Sequence, residues 1–353
     1  MNEKDGSRMP WIILTILTLL YVLNYVDRMI VAVSMEAIKA DFNFSDAQTG
    51  MLQSAYYIGV GLLTLPAGVL LDRWGRRKAI SLMTIAWSLA TAATGLSRNF
   101  VSIISSRFVC GAGEAGFGPG GFAWIAEIFP KEKRGFAGGI FQSGVVIGCI
   151  IGMVGGGIII TSTGDWRMAY YIFGIPGILL GILVLFMPEK VRKELKPDAG
   201  SNVVKDMFGL FRIKTFFFNS FGSGMYMVLL ATAQSWSAVL MMRAYDLNEA
   251  EAGTLLGIMI IPSILSPVIG GAIGDALQKR FVNGRPLFCG FASLAVLLVY
   301  AIQFYAAGLV PLPAYIVISV IVGLLTSGPI AVYHMIIQDV VPSDKRGVGA
   351  AII

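Results

Sequence analysis

Charge is scarce in this chain of 353 residues, of which 14% are charged and 56% are hydrophobic. A soluble domain carries about 25% charged residues, so this composition excludes an ordinary soluble protein and indicates a membrane protein. Histidine occurs once, and the three cysteines, Cys110, Cys149 and Cys289, all lie inside apolar segments. Such scattered residues form neither a metal-binding pattern nor a disulfide framework, so we expect the cysteines to pack as small apolar side chains.

Several enzyme signatures are also missing. The sequence has no P-loop, no H-E-x-x-H and no G-x-S-x-G, which removes the motif support for an ATP-driven pump or a membrane hydrolase. One G-x-G-x-x-G match, at 111–116, follows no predicted strand and does not indicate a nucleotide site. We expect a protein that is not an enzyme and that binds no metal, cofactor or nucleic acid. Its net charge of +6 comes from short basic clusters between apolar runs.

Long runs without charge recur along the chain and predict membrane-spanning helices. Ten spans are expected near residues 10–34, 47–71, 78–97, 100–129, 135–161, 168–187, 215–241, 250–273, 286–307 and 312–340, and an eleventh begins near Gly347 and stops at Ile353. Most Lys and Arg residues fall on one side of these spans if the N-terminus is cytoplasmic. Because positive loops stay in the cytoplasm, we predict a multi-pass protein of a bacterial inner membrane with its N-terminus inside.

An internal repeat divides the chain into halves. Ser45-Asp-Ala-Gln-Thr-Gly50 matches Asn248-Glu-Ala-Glu-Ala-Gly253, and both segments have the pattern of a helix N-terminal capping box. Glu127-Ile-Phe-Pro-Lys-Glu-Lys-Arg-Gly135 matches Asp339-Val-Val-Pro-Ser-Asp-Lys-Arg-Gly347 at a similar shift, which indicates a duplicated six-helix unit. We therefore predict an N-terminal bundle at 1–187, a cytoplasmic linker with an interfacial helix at 188–214, and an incomplete C-terminal bundle at 215–353.

The fourth predicted span carries ionisable residues where a membrane helix ordinarily has none. Arg107 and Glu114 lie about two turns apart on one face of this helix. A charged residue at the bilayer centre costs about 2.5–3.5 kcal/mol, so such residues are candidate functional sites. A buried structural ion pair is the alternative interpretation. Six glycines from Gly111 to Gly121 allow neighbouring helices to approach closely.

A short basic loop after the second span has a distinctive spacing. Its sequence is Gly68-Val-Leu-Leu-Asp72-Arg73-Trp-Gly75-Arg76-Arg77-Lys78, and Gly271 and Asp275 repeat the Gly–Asp spacing in the second half. A carboxylate at this position can lie against the positive N-terminus of a neighbouring helix, and the glycines permit a sharp turn. A loop that only anchors the chain through positive charge does not require this spacing.

This loop resembles the signature of the major facilitator superfamily. The pairs Glu127/Arg134 and Asp339/Arg346 resemble the charge relay at the inner gate of that superfamily. Asn24-Tyr-Val-Asp-Arg28, Arg107-x-x-x-Gly-x-Gly-Glu-Ala115 and Gln338-Asp-Val-Val-Pro342 resemble its spinster-like branch, and the anion:cation symporter branch has a related Asn-Tyr-x-Asp-Arg pattern. The resemblance implies an all-α integral membrane protein of two pseudo-symmetric six-helix bundles, the second truncated within helix 11, with spans 1, 4, 7 and 10 lining a central cavity.

Placing the sequence on this framework predicts a charge arrangement. Asp27 and Arg107 lie at a similar depth, so we expect them to form a pair. Glu114 lies about 10 Å deeper without an evident partner, and Arg28 points about 100° away from Asp27. We predict Glu114 and Asp27 as proton-coupling residues, and Arg107 and Asn24 as substrate-binding residues.

Four residues of the second half are further candidates for substrate binding. Tyr226 and Gln234 lie in the seventh span, and Tyr333 and His334 lie in the tenth. Helix packing explains such aromatic and amide residues equally well. The gating residues that the resemblance implies are Gly68, Asp72, Arg73, Gly75, Arg76, Arg77, Glu127, Arg134, Asp275, Asp339 and Arg346.

The fifth span carries glycine at every fourth position from Gly144 to Gly156. Such a ladder favours close helix contact, which we expect with the equivalent helix of the other half. Antiporters of the superfamily often have Gly-Pro inside this ladder, and Cys149 occupies that place here. The substitution weakens an antiport interpretation.

These features predict a monomeric secondary active transporter that moves an organic or amphipathic anion by alternating access with proton coupling. Its expected partners are a small-molecule or lysolipid-like anionic substrate, protons and the lipid bilayer. A sugar-acid:proton symporter of the anion:cation symporter branch is one alternative. A transporter-derived receptor that binds without moving its ligand is another, although gate residues in both halves favour movement.

Overall fold

The computed structural model describes residues 8–188 and 209–341, except for the side chains at positions 72, 131, 132, 135, 331 and 338. Several sequence predictions fall outside this description. They are most of the linker at 188–214, the side chain of Asp72, all of Arg346 and the start of the eleventh span. All regular structure within the described residues is helical, as predicted.

The helices follow one another with short connections. The first half contains α1 (Met9–Phe42), α2 (Asp46–Trp74), α3 (Arg76–Gly95), α4 (Phe100–Glu114), α5 (Phe117–Ile128), α6 (Lys131–Ile150), a π-helical turn (Ile151–Gly155), α7 (Gly156–Thr163) and α8 (Arg167–Val184). The second half contains α9 (Lys214–Tyr245), α10 (Glu249–Met259), a 3₁₀ turn (Ile261–Ile264), α11 (Ser266–Arg280), α12 (Gly284–Ala306), α13 (Leu312–Thr326) and α14 (Gly328–Val340).

Eight helical stretches of the described residues are long and apolar enough to cross a membrane. They are Met9–Phe42, Asp46–Leu71, Phe136–Thr163, Arg167–Val184, Lys214–Tyr245, Glu249–Arg280, Gly284–Ala306 and Leu312–Ile337. Two of the ten spans expected from sequence are absent from these eight stretches. Helix α3 is not both long and apolar enough to be counted, and the fourth span is divided into the shorter helices α4 and α5. The chain is therefore a multi-pass membrane protein.

Prolines lie at three of the places where predicted spans are interrupted. Pro119 has no N–H to donate to the carbonyl of Ala115, and α4 gives way to α5 at this point. Pro262 lies in the 3₁₀ turn between α10 and α11, and Pro329 lies in the first turn of α14. The sequence predicts each of these three spans as one helix, whereas the structure builds each from two.

Both helix starts predicted from the repeat are confirmed. Gln48 N donates to Ser45 Oγ at 3.2 Å, and Ser45 N donates to Gln48 Oε1 at 2.9 Å. In the second half, Glu251 N donates to Asn248 Oδ1 at 2.9 Å, and Asn248 N donates to Glu251 Oε2 at 3.0 Å. These reciprocal bonds satisfy N–H groups that lack a partner inside the helix.

The described residues form two compact units, one of 8–188 with 246–257 and the other of 209–245 with 258–341. In the first unit, α1 packs on α6, α2 packs on α4, and α3 packs on both α4 and α8. In the second unit, α11 packs on α12 and α14, and α9 packs on α14. The contacts of Asp246–Gly257 group this segment with the N-terminal helices, although chain order would assign it to the C-terminal bundle.

The glycine ladder of the fifth predicted span packs on α1 of the same unit. Cβ atoms added at Gly144, Gly148 and Gly152 would each meet a backbone atom of α1. At Gly148 the obstacle is the carbonyl oxygen of Val22. The expected partner for this ladder, the equivalent helix of the other half, is therefore wrong. Removing the side chains lets the backbones of α6 and α1 come into direct contact instead.

Two glycines of α6 provide a matched test of this contact. We expect Gly148→Ala to lower the thermal unfolding midpoint in detergent, because overpacking against Val22 costs about 1–3 kcal/mol. At Gly139 an added Cβ meets nothing within 4 Å, so Gly139→Ala keeps the helix-propensity gain of about 1 kcal/mol and does not lower the midpoint. Equal midpoints in the two variants would contradict close packing of α6 on α1.

Candidate functional site

Four charged side chains meet in the apolar part of the N-terminal unit. Asp27 and Arg28 come from α1, and Arg107 and Glu114 come from α4. Asp27, Arg107 and Glu114 are 1%, 0% and 3% exposed. These four residues, called the charged cluster below, contain two carboxyl and two guanidinium groups and are neutral as a set when all are ionised.

Glu114 accepts hydrogen bonds from three helices. Arg28 Nε donates to its Oε2 at 3.0 Å, and the Tyr56 hydroxyl donates to the same oxygen. Cys110 Sγ lies 3.5 Å from Oε1. Arg28 also donates to Asn24 Oδ1 at 3.0 Å, which fixes the guanidinium group between Asn24 and Glu114. Glu114 is therefore a fully buried ion-pair partner of α1.

Asp27 has a different environment although it is the neighbour of Arg28 in sequence. Thr91 Oγ1 of α3 donates to Asp27 Oδ2 at 2.9 Å, while Asp27 Oδ1 has no hydrogen-bond partner within the described part of the chain. One oxygen of Asp27, one oxygen of Glu114 and Cys110 Sγ all lie within 4.8 Å of one another. The two carboxyl groups thus lie close together but are bound by different partners.

Two predictions about these charges are wrong. Asp27 does not pair with Arg107, because its carboxylate is turned towards Thr91 of α3. Glu114 is not an unpartnered residue deeper in the membrane, because the long Arg28 side chain reaches it from α1. Rise per residue predicts depth along one helix, but it does not predict the rotation of one helix against another.

Arg107 is buried, and its guanidinium group makes no hydrogen bond to the described part of the chain. All three nitrogens of its guanidinium group lack a hydrogen-bond partner among the described residues, and the group lies 5.1 Å from the centroid of the Tyr56 ring. A cation–π contact of this kind stabilises a guanidinium group without using its N–H donors. Arg107 therefore retains five donors that can bind an anion.

Glycines bring the neighbouring helices to the charged cluster. A Cβ at Gly111 would meet the carbonyl oxygen of Tyr56, and a Cβ at Gly113 would meet the backbone of Trp87. The α2 and α3 backbones therefore touch α4 immediately before Glu114. This contact is what allows the Tyr56 hydroxyl and the Thr91 hydroxyl to reach the two carboxyl groups.

The potential ligand atoms of Asp27, Cys110 and Glu114 are also close enough together to hold a metal ion. However, Arg28 already binds Glu114 Oε2, and its positive charge disfavours a second cation at the same carboxylate. The arrangement suits a proton better than a metal ion.

The predicted substrate residues of the second half lie in a neutral environment. The rings of Tyr226 and Tyr333 are 6.1 Å apart, and the Tyr226 hydroxyl donates to the carbonyl of Thr326. The Tyr333 hydroxyl is 3.0 Å from Ser293 Oγ. The structure therefore brings Tyr226 and Tyr333 together. Gln234 is half-buried on α9, and His334 is exposed on α14.

Arginine–carboxylate pairs lie where helices of the same unit end and begin. Arg76, at the start of α3, is 3.3 Å from Glu127 near the end of α5. Arg134 Nε donates to the carbonyl of Phe129 at 3.0 Å instead of pairing with Glu127. Of the other predicted gating residues in this loop, Gly75 adopts φ 83°, which favours glycine. Gly68 and Arg73 are exposed, and Arg77 donates to the carbonyl of Met187 at 3.1 Å.

Arg285 is the residue that sequence reasoning missed in the second unit. It binds Asp275 at 2.8 Å and also forms an ion pair with Asp339, so one guanidinium group joins the ends of α11 and α14. Gly284-Arg285 opens α12 as Gly75-Arg76 opens α3. This shared Gly-Arg pair was a signal available in the sequence. For Tyr56 and Thr91 the sequence offered no comparable signal.

Comparison with known proteins identifies the family. Residues 17–353 match the sequence model of the Major Facilitator Superfamily. The chain belongs to the major facilitator superfamily. Within this superfamily, the resemblance to spinster proteins is confirmed by curated relatives named as spinster homologues.

Two curated members of the superfamily illustrate the similarity. The sphingosine-1-phosphate transporter SPNS2 of Xenopus tropicalis is 24% identical over 92% of this chain, and the chain spans 66% of its length. The hexuronate transporter of Bacillus subtilis (strain 168) is 26% identical over 99% of this chain and 83% of its own length. The crystal structure of a bacterial homolog of the human lysosomal transporter spinster, inward-facing and occupied, matches with a TM-score of 0.81 at 24% identity. That match covers 98% of this chain and 78% of the other and supports the major facilitator fold.

The Arg28–Glu114 pair generates a stability prediction. Arg28→Met leaves the buried carboxylate without its cation, which we expect to cost about 3 kcal/mol and to lower the unfolding midpoint in detergent. Adding Glu114→Gln to Arg28→Met removes the unpaired negative charge and recovers most of the lost stability. Lys39→Met is the control, because the Lys39–Asp46 pair is partly exposed and contributes about 0–1 kcal/mol. A double variant as unstable as Arg28→Met would contradict the pairing.

Proposed function

We propose that this protein is a secondary active transporter that moves an organic or amphipathic anion across the membrane by alternating access, coupled to protons. The observation that carries the proposal is the buried charged cluster, in which Arg107 has unused hydrogen-bond donors beside two carboxyl groups. Ionisable groups inside an apolar span are costly, and a transport site is a physical reason for keeping them there.

Arg107 is the proposed binding residue for the anion. Its guanidinium group is fully buried and is not neutralised by a direct ion pair with Asp27 or Glu114. A carboxylate, phosphate or sulfonate can take two parallel hydrogen bonds from such a group. Asn24 Nδ2 is a second buried donor without a partner in the described residues, and it belongs to the same site.

Charge balance provides the coupling to protons. With all four of its groups ionised the charged cluster is neutral, so an anion at Arg107 would leave one net negative charge in a medium of low dielectric. A proton taken up by Glu114 or Asp27 restores neutrality. Anion and proton therefore enter together, which corresponds to symport.

The substrate class follows from the same chemistry. The relatives are named for sphingosine-1-phosphate and hexuronate, and both compounds carry an anionic group. A lysolipid-like anion is the proposed substrate. A sugar acid is the second candidate, because the hexuronate transporter aligns over 99% of this chain.

The remaining assignments complete the proposal. Tyr226 and Tyr333, with Gln234 and His334, contribute neutral polar contacts to the substrate from the second unit. The N-terminal bundle at 1–187 and the C-terminal bundle from 215 onwards, joined by the linker at 188–214, move as alternating-access halves in a monomer. The gating residues named from the sequence act at the inner face, where the N-terminus also lies. A bacterial inner membrane is the proposed location.

Counterflow in proteoliposomes tests this function. We expect vesicles loaded with sphingosine-1-phosphate or glucuronate to take up the labelled form of the same compound, whereas glucose, which lacks a carboxylate, is not exchanged. Uptake of glucuronate alone would favour the sugar-acid alternative. Binding of a probe in thermal-shift measurements without counterflow would contradict transport and indicate a receptor.

Glu114→Gln separates coupling from binding. Gln keeps a hydrogen-bond acceptor for Arg28 and Tyr56 but cannot carry a proton. Because this variant also removes the charge partner of Arg28, we expect less folded protein, but per folded protein we expect retained counterflow and loss of accumulation driven by a pH gradient. Asp41→Asn is the matched control, because Asp41 pairs with Arg167 at 2.7 Å in a partly exposed position and should leave both activities intact. Unchanged gradient-driven accumulation in Glu114→Gln would exclude Glu114 as a coupling residue.

A further inference from the structure

Two small polar side chains lie between the carboxyl groups of the charged cluster. Thr91 of α3 and Cys110 of α4 are both 0% exposed. Thr91 Oγ1 is 2.9 Å from Asp27 Oδ2 and 3.5 Å from Cys110 Sγ, and Cys110 Sγ is 3.5 Å from Glu114 Oε1. An unbroken series of hydrogen-bond contacts thus runs from Asp27 to Glu114.

We propose that Thr91 and Cys110 form a relay that passes one proton between Glu114 and Asp27. This inference rests on the proposed function, because it concerns the same proton. It adds two positioning residues that no part of the sequence analysis assigned to coupling, and it gives Cys110 a role other than packing.

The proton transfer is balanced at every atom. When Glu114 is protonated, its O–H donates to Cys110 Sγ, the S–H donates to Thr91 Oγ1, and the Thr91 O–H donates to Asp27. Each donor then passes its proton to the next acceptor, so that one O–H bond is lost at Glu114 and one is formed at Asp27. Thr91 and Cys110 each release one proton and gain one, and no oxidant or reductant takes part.

The orientation of Thr91 is what distinguishes a relay from ordinary helix packing. A hydroxyl inside a helix commonly bonds to the carbonyl four residues earlier, as Thr94 of the same helix does to Ala90 at 2.9 Å. Thr91 instead donates across to Asp27 of α1.

The two ends of the relay have different hydrogen-bond partners, so the position of the proton affects the contact between α1 and α4. Glu114 is held by Arg28 and Tyr56, whereas Asp27 is held by Thr91 alone among the described residues. A proton on Glu114 weakens the ion pair that joins α4 to α1, and a proton on Asp27 leaves that pair intact. Moving the proton along the relay therefore makes or breaks a contact between two helices. The other titratable groups facing this region are Tyr21, Tyr25 and Arg28 of α1, Tyr56 and Tyr57 of α2, Arg107 of α4 and Tyr170 of α8.

Four variants test the relay in transport. Cys110→Ala and Thr91→Val remove one link, whereas Cys110→Ser and Thr91→Ser keep a group that both donates and accepts. With the probe that the wild type exchanges, sphingosine-1-phosphate or glucuronate, we expect the first two variants to keep counterflow but to lose about tenfold or more in pH-driven uptake. The two serine variants retain uptake. Cys149→Ala, which removes a buried cysteine of α6 outside the relay, is the control.

A second measurement does not depend on transport. The S–H stretching band of Cys110, assigned by its loss in Cys110→Ser, can be followed by infrared spectroscopy of the purified protein as pH changes. We expect this band to shift together with the carboxyl C=O band, and the shift to be altered by Glu114→Gln and by Asp27→Asn. If neither sphingosine-1-phosphate nor glucuronate is transported but the S–H band changes in both Glu114→Gln and Asp27→Asn, the relay is supported and the proposed function is contradicted. An S–H stretching band that does not shift with pH would overturn the relay. Full pH-driven uptake in both Cys110→Ala and Thr91→Val would also overturn it.

Discussion

The ion pair between Arg28 and Glu114 is the interaction on which the rest of the N-terminal unit depends. Its members lie 3.0 Å apart on α1 and α4, and the Glu114 side chain is fully buried. A buried carboxylate needs both a countercharge and hydrogen-bond donors, and the structure supplies them from α1, α2 and α4. The glycines of α4 are part of the same requirement, because side chains at Gly111 or Gly113 would hold α2 and α3 away from the carboxylate.

The two units bury polar groups of different kinds. The first unit concentrates ionisable side chains in one buried cluster. The second unit instead buries hydroxyl and amide groups, such as Asn219, which donates to the carbonyl of Tyr333 at 3.1 Å, and Gln303, which donates to Ser319 Oγ at 2.8 Å. At the helix ends, however, both units have the same arrangement of a glycine, an arginine and an acid. An arginine that follows a glycine opens a helix and binds an acid at the end of another, as Arg76 and Arg285 do.

The charged cluster joins stability and the proposed function in one set of atoms. Arg107 is stabilised by the Tyr56 ring, and this leaves its N–H donors available to an anion. The Tyr56 hydroxyl at the same time binds Glu114. One aromatic side chain therefore contacts both the residue proposed to bind substrate and the residue proposed to bind the proton. The Tyr56 ring therefore provides a physical route for the proposed coupling between these two residues.

The sequence by itself determined the all-α membrane class, most of the spans, both capping boxes and the residues that carry charge into the membrane. These features depend on neighbours within a few positions of the chain, as the bonds of Ser45 to Gln48 illustrate. Only the tertiary structure decided the pairing of these charges. Asp27 and Arg28 are adjacent in sequence, yet one faces Thr91 of α3 and the other reaches Glu114 of α4. The reason is that pairing depends on the rotation of each helix against its neighbours. That rotation is fixed by close contacts between distant segments, which periodicity along one helix does not encode.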